Sequence, residues 1–408
     1  MRNAIAVLAA MVLAPCVRAQ EVPTAEWKKA LAAVPTAVWG NGPVRDQARS
    51  RLQPLLDRPL AKAQARGLLE TLAKGNPFLE EDSVSGTLEI EIGEGGEKTK
   101  VWFQLPSKYR KAHAPVGMVF AMHGGPAGSL KEAFGIAPQE FSYFQSQAQQ
   151  HHLLLLAPAW IGDPTKLVME TYRRACARWN IDRNRVWMVG HSAGGVASFM
   201  VAPPWADRFA GIGPFVCGME HGRRLDNAWN LPVYHVIGLK DNAFFVATAR
   251  KNNERLKEAG GPLQVVEKKG GHDVYPDECT SSLEWLVARP RRFWVKDVHW
   301  SGDDARTEGG FYWVETGDGG YVGAGRGSAF LWRVAIQEGN RIRVEGDDPG
   351  TLHLSDELLD LDRPVTVVRE DEEIFSGPVT RTLRAALEWV ERTGDFSAVP
   401  TARLKLPE

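Results

Sequence analysis

Between Val116 and Ala288 the chain repeats one pattern, a short unbroken apolar run followed by a stretch of helical spacing. The runs are VGMVFAMHGG, LLLLAPAW, RVWMVGHS, PVYHVIGLKD and LQVVEKKGGHD. The helical stretches fall near Lys131 to Gln150, Lys166 to Trp179, Ala193 to Met200, Phe245 to Ala259 and Asp277 to Ala288. A strand that is apolar on both faces must be buried on both, and alternation with helices predicts a parallel sheet covered on each side. Ligands in such sheets sit beyond the carboxyl ends of the strands. His123 with its glycines, Ser192, Asp241 and His272 all follow such runs.

The flanks read differently. Residues 1–19, with Arg2 before the apolar Ala4 to Ala14 and Val17-Arg18-Ala19 before Gln20, have the order of an export signal. Pro15 stands where a lipoprotein site carries a small residue, so lipid anchoring at Cys16 is not expected. The expected location is periplasmic or secreted. Residues 20–80 are predicted to be a helical amino-terminal segment, with Pro54 and Pro59 each opening a short helix. Residues 81–289 carry the alternating pattern, preceded by two antiparallel strands, SGTLEIEIG and KTKVWFQLP, joined around Gly93 to Gly96. From 290 to 408 the period is mostly two. Phe330, Trp332, Val334 and Ile336 share a face, as do Ile342 and Val344, and a hairpin is predicted to turn at Asp371 and Glu372. This region is expected to be a small β-rich module ending in a helix.

The chemistry concentrates in three places. Gly190-His191-Ser192-Ala193-Gly194 is a G-x-S-x-G sequence between an apolar run and a helical stretch, the setting of a strained turn that exposes a serine nucleophile. A serine hydroxyl needs a base to take its proton during attack. Asp241 follows the next apolar run, and His272 sits in a glycine-flanked loop after the one beyond, giving the order Ser, Asp, His. An imidazole, with an ordinary pKa of about 6.5, accepts and returns a proton near neutrality, and a carboxylate holds it in the right tautomer. His221 and His235 are rival bases, but His235 lies inside a strand and reads as a core residue. Asp273 is a rival acid, adjacent to the base and poorly placed to orient it. Ala193, with Gly124 or Gly125 of the sequence MHGGPAGS, supplies candidate backbone N–H donors for an oxyanion. His123 reads as a support for that loop.

With these residues in view, the stretch from about Val84 to Ala288 resembles an α/β-hydrolase. It is similar to the exported esterases that include polyhydroxybutyrate depolymerase-like and feruloyl esterase-like proteins. The resemblance rests on HGGP at His123 to Pro126, GHSAGG at Gly190 to Gly195, GLKD ending at Asp241 and GGHD containing His272. It implies an α/β fold, a mostly parallel sheet with helices on both faces, carrying a helical amino-terminal segment and a β-rich carboxy-terminal module. It also implies a serine hydrolase that cleaves carboxylic esters through an acyl-enzyme on Ser192. HGGP is shared with proline-preferring aminopeptidases and GHSAGG with oligopeptidases, so a peptidase using the same triad is the alternative. A non-catalytic protein that binds a polymer or partner on a hydrolase scaffold is the third reading.

Composition narrows the remaining classes. The 408 residues are 44% hydrophobic and 24% charged, with a net charge of −1 and no long block of one sign, which argues against a nucleic-acid partner. No H-E-x-x-H, C-x-x-C or P-loop occurs, so neither metal nor cofactor is expected. The partner expected is a small or polymer-derived ester, with no membrane span beyond the signal. GAGRGS at Gly323 to Ser328 fails G-x-G-x-x-G, with Ser328 at its last position, and lacks the strand-then-helix setting. Glu89 and Glu91, two apart on a strand, read as solvent-facing. Asp303-Asp304, Asp347-Asp348 and LSDELLDLD lack the spacing of a calcium loop and read as turns. Trp294, Trp300, Trp313, Tyr321 and Trp332 read as core rather than as a ligand platform. Cys176, Cys217 and Cys279 are too few for a disulfide framework.

Overall fold

The computed structural model describes residues 22–407 apart from 78, 80–83, 93–96, 110–113, 126–127, 220–221, 302–309, 318–331 and 347–348. The export signal with Cys16, the Gly93 to Gly96 turn, Pro126, His221, GAGRGS, Tyr321, Phe330 and the paired aspartates at 303–304 and 347–348 lie outside the described residues.

The chain opens with helices α1 (Thr24–Trp39), α2 (Gly42–Leu52) and α3 (Lys62–Leu72), with a 3₁₀ turn at Gln53–Leu55. Pro54 does start that turn, as its missing N–H and fixed φ favour. Pro59 does not open a helix; it lies in an extended link and α3 begins three residues later. Strands β1 (Ser85–Ile92) and β2 (Glu97–Gln104) form the expected hairpin. There follow β3 (Val116–Met122), α4 (Leu130–Gln150), β4 (Leu153–Pro158), α5 (Thr165–Arg178), β5 (Ile181–His191) and α6 (Ala193–Val201). Then come β6 (Gly211–Phe215), β7 (Val233–Gly238), α7 (Ala243–Ala259), β8 (Leu263–Lys268) and α8 (Pro276–Val287).

These strands make one sheet in the order β1-β2-β4-β3-β5-β6-β7-β8, antiparallel at the β1 and β2 edge and parallel from β4 onward. Alternate residues of β3 enter different cores. Met118, Phe120 and Met122 pack with α5 and α6 on one face, and Val119 and Ala121 pack with α4 and α8 on the other. Both faces are therefore dry, which is why the strands read as unbroken apolar runs. β6, GIGPF, escapes that reading. Two glycines and a proline argue against a central strand, yet it lies wholly buried between β5 and β7.

The last third adds β9 (Asp297–Trp300), β10 (Gly310–Phe311), β11 (Val314–Thr316), β12 (Trp332–Gln337), β13 (Arg341–Glu345), β14 (Pro349–Leu354), β15 (Val365–Arg369), β16 (Glu372–Gly377), α9 (Leu383–Thr393) and β17 (Ala402–Lys405). They form a four-stranded sheet, β10-β11-β14-β17, and a five-stranded one, β16-β15-β13-β12-β9. Val334 pairs with Val344 and Ile336 with Ile342, so the period-two apolar residues do share a face. The hairpin turns one residue earlier than expected, at Glu370 and Asp371, whose φ values of 47° and 71° suit a two-residue turn with both centres left-handed. Trp300, Trp313 and Trp332 are fully buried and Trp294 is packed against them, so these aromatics are core. That core is continuous with the α5 and α6 side of the large sheet. Side-chain bonds cross as well: Trp229 Nε1–H donates to His299 O, Asn230 to Tyr312 Oη, and Arg291 Nη1 to Asp207 O at 2.6 Å.

Candidate active site

Residue Ser192 stands between the end of β5 and the first turn of α6, with φ 54° and ψ −117°. A non-glycine residue there is strained, and the neighbouring backbone must over-determine it. Its N–H donates to Phe215 O at 2.9 Å and its carbonyl accepts from Val196 at 3.0 Å. The two glycines are required by close approach. A Cβ on Gly194 would lie 1.8 Å from Met122 O, and one on Gly190 would lie 2.5 Å from the same oxygen. The corner therefore packs directly on the end of β3.

His272 and Asp241 arrive from the neighbouring strand ends. Lys240 N–H donates to Gly270 O and Leu239 N–H to Lys268 O, which staples the β7 and β8 loops together. Tyr275 Oη–H donates to Gly271 O at 2.8 Å and steadies the histidine loop. His272 Nε2 is 2.8 Å from Ser192 Oγ, and its Nδ1 is 2.7 Å from Asp241 Oδ2. Asp241 Oδ1 accepts from Asn242 N–H, and its side chain is nearly buried while that of His272 is about one third exposed. A carboxylate at Nδ1 puts the ring proton there and leaves the Nε2 lone pair facing the serine hydroxyl. Phe245 stacks on the imidazole with centroids 5.3 Å apart.

The rivals fall elsewhere. His235 is fully buried, bonded to the Asn253 carboxamide and to Cys217 O, and burial lowers its pKa. Asp273 accepts from Gly271 N–H rather than from the His272 ring. Of the LSDELLDLD acids, Asp356 and Asp362 are taken up by Arg381. Glu89 and Glu91 are exposed.

The HGGP loop meets the same corner. A Cβ on Gly124 would touch Ser192 Cβ at 3.4 Å and His191 O at 2.9 Å, so this backbone lies against the serine; Gly125 adopts φ 79°. His123 Nε2 accepts from Trp160 N–H at 3.1 Å, which assigns the ring proton to Nδ1, 3.0 Å from Gly124 O. Burial lowers the His123 pKa and the ring stacks on Trp160, so it is a neutral brace for the loop. Ala193 is the first residue of α6, where backbone N–H groups have no intrahelical partner.

One element had no signal in the sequence reading. His191, the variable residue of the G-x-S-x-G turn, is buried with Nδ1 2.7 Å from Glu140 Oε1 on α4, and burial raises the Glu140 pKa despite that bond. Glu140 at mid-helix has no motif; only its place on the apolar side of α4 marks it.

No protein-family model matches the sequence, and no curated protein matches it either. Among solved structures the chain is similar to a thermostable esterase, at 18% identity over 51% of this chain and 64% of that one, just under two thirds of its length, with a TM-score of 0.45. It is similar to an S-formylglutathione hydrolase from Staphylococcus aureus (16% identity, 52% and 99% covered, TM-score 0.41) and to a dipeptidyl peptidase 4 from Porphyromonas gingivalis (12%, 50% and 35%, 0.41). In strand order, in its helices on both faces and in a serine corner after β5, the sheet region has the α/β-hydrolase fold.

Proposed function

We propose that the chain is an exported serine hydrolase that cleaves carboxylic esters. The observation that carries this reading is the unbroken relay from Ser192 Oγ through His272 to Asp241, at 2.8 and 2.7 Å, on a backbone strained to present the hydroxyl. In the first half-reaction Ser192 Oγ attacks the acyl carbon while His272 Nε2 takes its proton. Asp241 stabilises the imidazolium without itself becoming protonated. The N–H of Ala193 and that of Gly124 or Gly125 receive the oxyanion. The tetrahedral centre then collapses, the C–O bond to the alcohol breaks, and the imidazolium returns its proton to the departing oxygen. Water repeats the sequence on the acyl-enzyme, His272 again acting as base, and frees the acid and Ser192.

Ester over amide is favoured by the openness of the site, since His272 is part-exposed and exposed Phe244 packs edge-on against Phe245, the ring stacked on His272, a flank suited to an acyl chain. Export rests on the amino-terminal 19 residues alone. The test is turnover of short-chain nitrophenyl esters by the chain and by Ser192→Ala, with a peptide nitroanilide panel alongside. Ser192-dependent ester turnover supports the reading; equal rates in the two proteins, or turnover of the nitroanilides alone, contradict it.

A further inference from the structure

A groove of about 1320 Å³ runs along α5, walled on its other side by the amino-terminal helices and by the end of α9. The helix joins the carboxyl end of β4 to the amino end of β5, so its 14 residues carry the groove about 20 Å across the edge of the fold. The near end reaches the catalytic corner through one residue. Trp160 lines the groove, stacks on His123 and donates its N–H to that ring, and His123 precedes the Gly124 that lies against Ser192. The triad itself does not line the groove.

Its charge is unlike that of the chain as a whole. The lining holds seven Lys or Arg residues against four Asp or Glu, whereas the chain is nearly neutral. Several of these are paired: Arg49 with Glu391, Arg173 with Glu170, and Arg392 with Glu315. Arg45 and Lys166, on opposite walls, make no ion pair among the described residues, and Arg45 Nε has no hydrogen-bond partner. At the far end Arg183 is 6% exposed and its Nε is likewise without a partner. It sits with Arg208 and Arg291, both buried, around buried Asp395. A buried donor left unbonded is costly, and an incoming carboxylate that reaches it relieves that cost.

The remaining lining says what carries the carboxylate. Trp39 and Trp160 offer ring faces, and Asn41 offers an amide. Sugar rings present C–H faces to aromatics and hydroxyls to amides; a neutral aliphatic polyester presents neither hydroxyl nor charge. The volume exceeds the roughly 300–1,000 Å³ of a small-molecule pocket. We propose that the groove along α5 is a second binding site, for a chain of carboxylate-bearing sugar residues, the polymer whose ester Ser192 cleaves. The last clause rests on the hydrolase reading; the groove's preference for an acidic saccharide does not.

The experiment uses the full chain carrying Ser192→Ala, titrated by calorimetry with an oligogalacturonate of about six units and with a neutral cello-oligosaccharide of equal length. The acidic ligand is expected to bind and the neutral one not to, with affinity falling as sodium chloride rises. Arg45→Glu with Lys166→Glu is expected to weaken binding roughly tenfold or more. The salt dependence, read on the unreversed protein, serves if the double reversal does not fold. Equal affinity for the two saccharides, salt-independent binding, or a folded double reversal that binds undiminished overturns the proposal. So does inorganic phosphate binding as tightly as the oligogalacturonate, which would mark a small-anion site. Binding without any ester turnover by the unsubstituted chain sinks the hydrolase reading and leaves the groove; Ser192-dependent turnover without binding does the reverse.

Discussion

Glu140 Oε1 lies 2.7 Å from His191 Nδ1, both side chains buried, immediately behind the backbone corner that carries Ser192. An acid from α4 thereby holds the residue preceding Ser192. Burial raises the Glu140 pKa above its ordinary 4.5, the His191 bond opposing but not cancelling it. The folded value is above the unfolded one, so this contribution to stability is full below about pH 4.5 and is lost as pH rises through the folded value. Glu140→Gln should therefore flatten the decline of the urea midpoint between pH 5 and pH 8. Glu140→Ala, which also opens a cavity and strands the imidazole nitrogen, should cost about 2–4 kcal/mol at either pH. An unchanged pH slope in Glu140→Gln would show that Glu140 does not titrate in this window.

At the corner itself, Gly194→Ala should be among the most damaging methyl additions in the chain. Its Cβ would meet the backbone oxygen of Met122 at 1.8 Å, and neither backbone can yield without moving β3 or α6. A loss of about 3 kcal/mol or more is expected, with ester turnover lost in whatever fraction folds. Gly162→Ala, where no atom lies within 4 Å, is the comparison: it bears only the strain of its positive φ and should leave turnover intact. Similar melting temperatures for the two variants would contradict the close packing.

How much of this was legible beforehand follows from what each feature depends on. The parallel sheet showed because residues such as Met118 and Val119 face different cores and must both be apolar. The serine, aspartate and histidine showed because their loops follow strands in a fixed order. β6 did not show, since its place is set by its neighbours β5 and β7 rather than by its own Gly and Pro residues. Pro59 misled because proline favours both a helix start and an extended link, and the local sequence does not choose. Glu140 was invisible because its partner is 51 residues away, and the α5 groove because its walls come from opposite ends of the chain.

Asp395, wholly buried, should govern acid stability. Burial alone would raise its pKa, but Arg291, Arg183 and Arg208 outweigh it and hold the carboxyl below the ordinary 3.8. A folded value below the unfolded one gives stability that is complete above about pH 4 and is lost as pH falls through the folded value. Asp395→Asn leaves the guanidinium groups facing an uncharged amide and should cost about 3–5 kcal/mol at pH 7, with a shallower loss toward pH 3. Thermal melts of the two proteins at pH 7, 5 and 3 read both effects; parallel curves would contradict the assignment.

Cys217 and Cys279, both buried, and part-buried Cys176 should be nearly silent. Burial pushes Cys279 up to about 12 and Cys176 up to about 11, and raises Cys217 further. Thiolate is the reactive form, so at pH 8 the native chain should show about a thousandfold less labelling at Cys279 than the unfolded chain, and about a hundredfold less at Cys176. Peptide mapping after iodoacetamide treatment tests it, and rapid native labelling of Cys279 would show that the α8 side of the core is open.

The central claim is that His272 and Asp241 make Ser192 a nucleophile, and fluorophosphonate labelling followed by peptide mapping reads this without any choice of substrate. The probe should attach to Ser192 in the folded chain, slow by about 10⁴-fold in Asp241→Asn, and leave Ser192→Ala unlabelled. Attachment at another serine, or no attachment to a chain that melts cooperatively, would contradict the account.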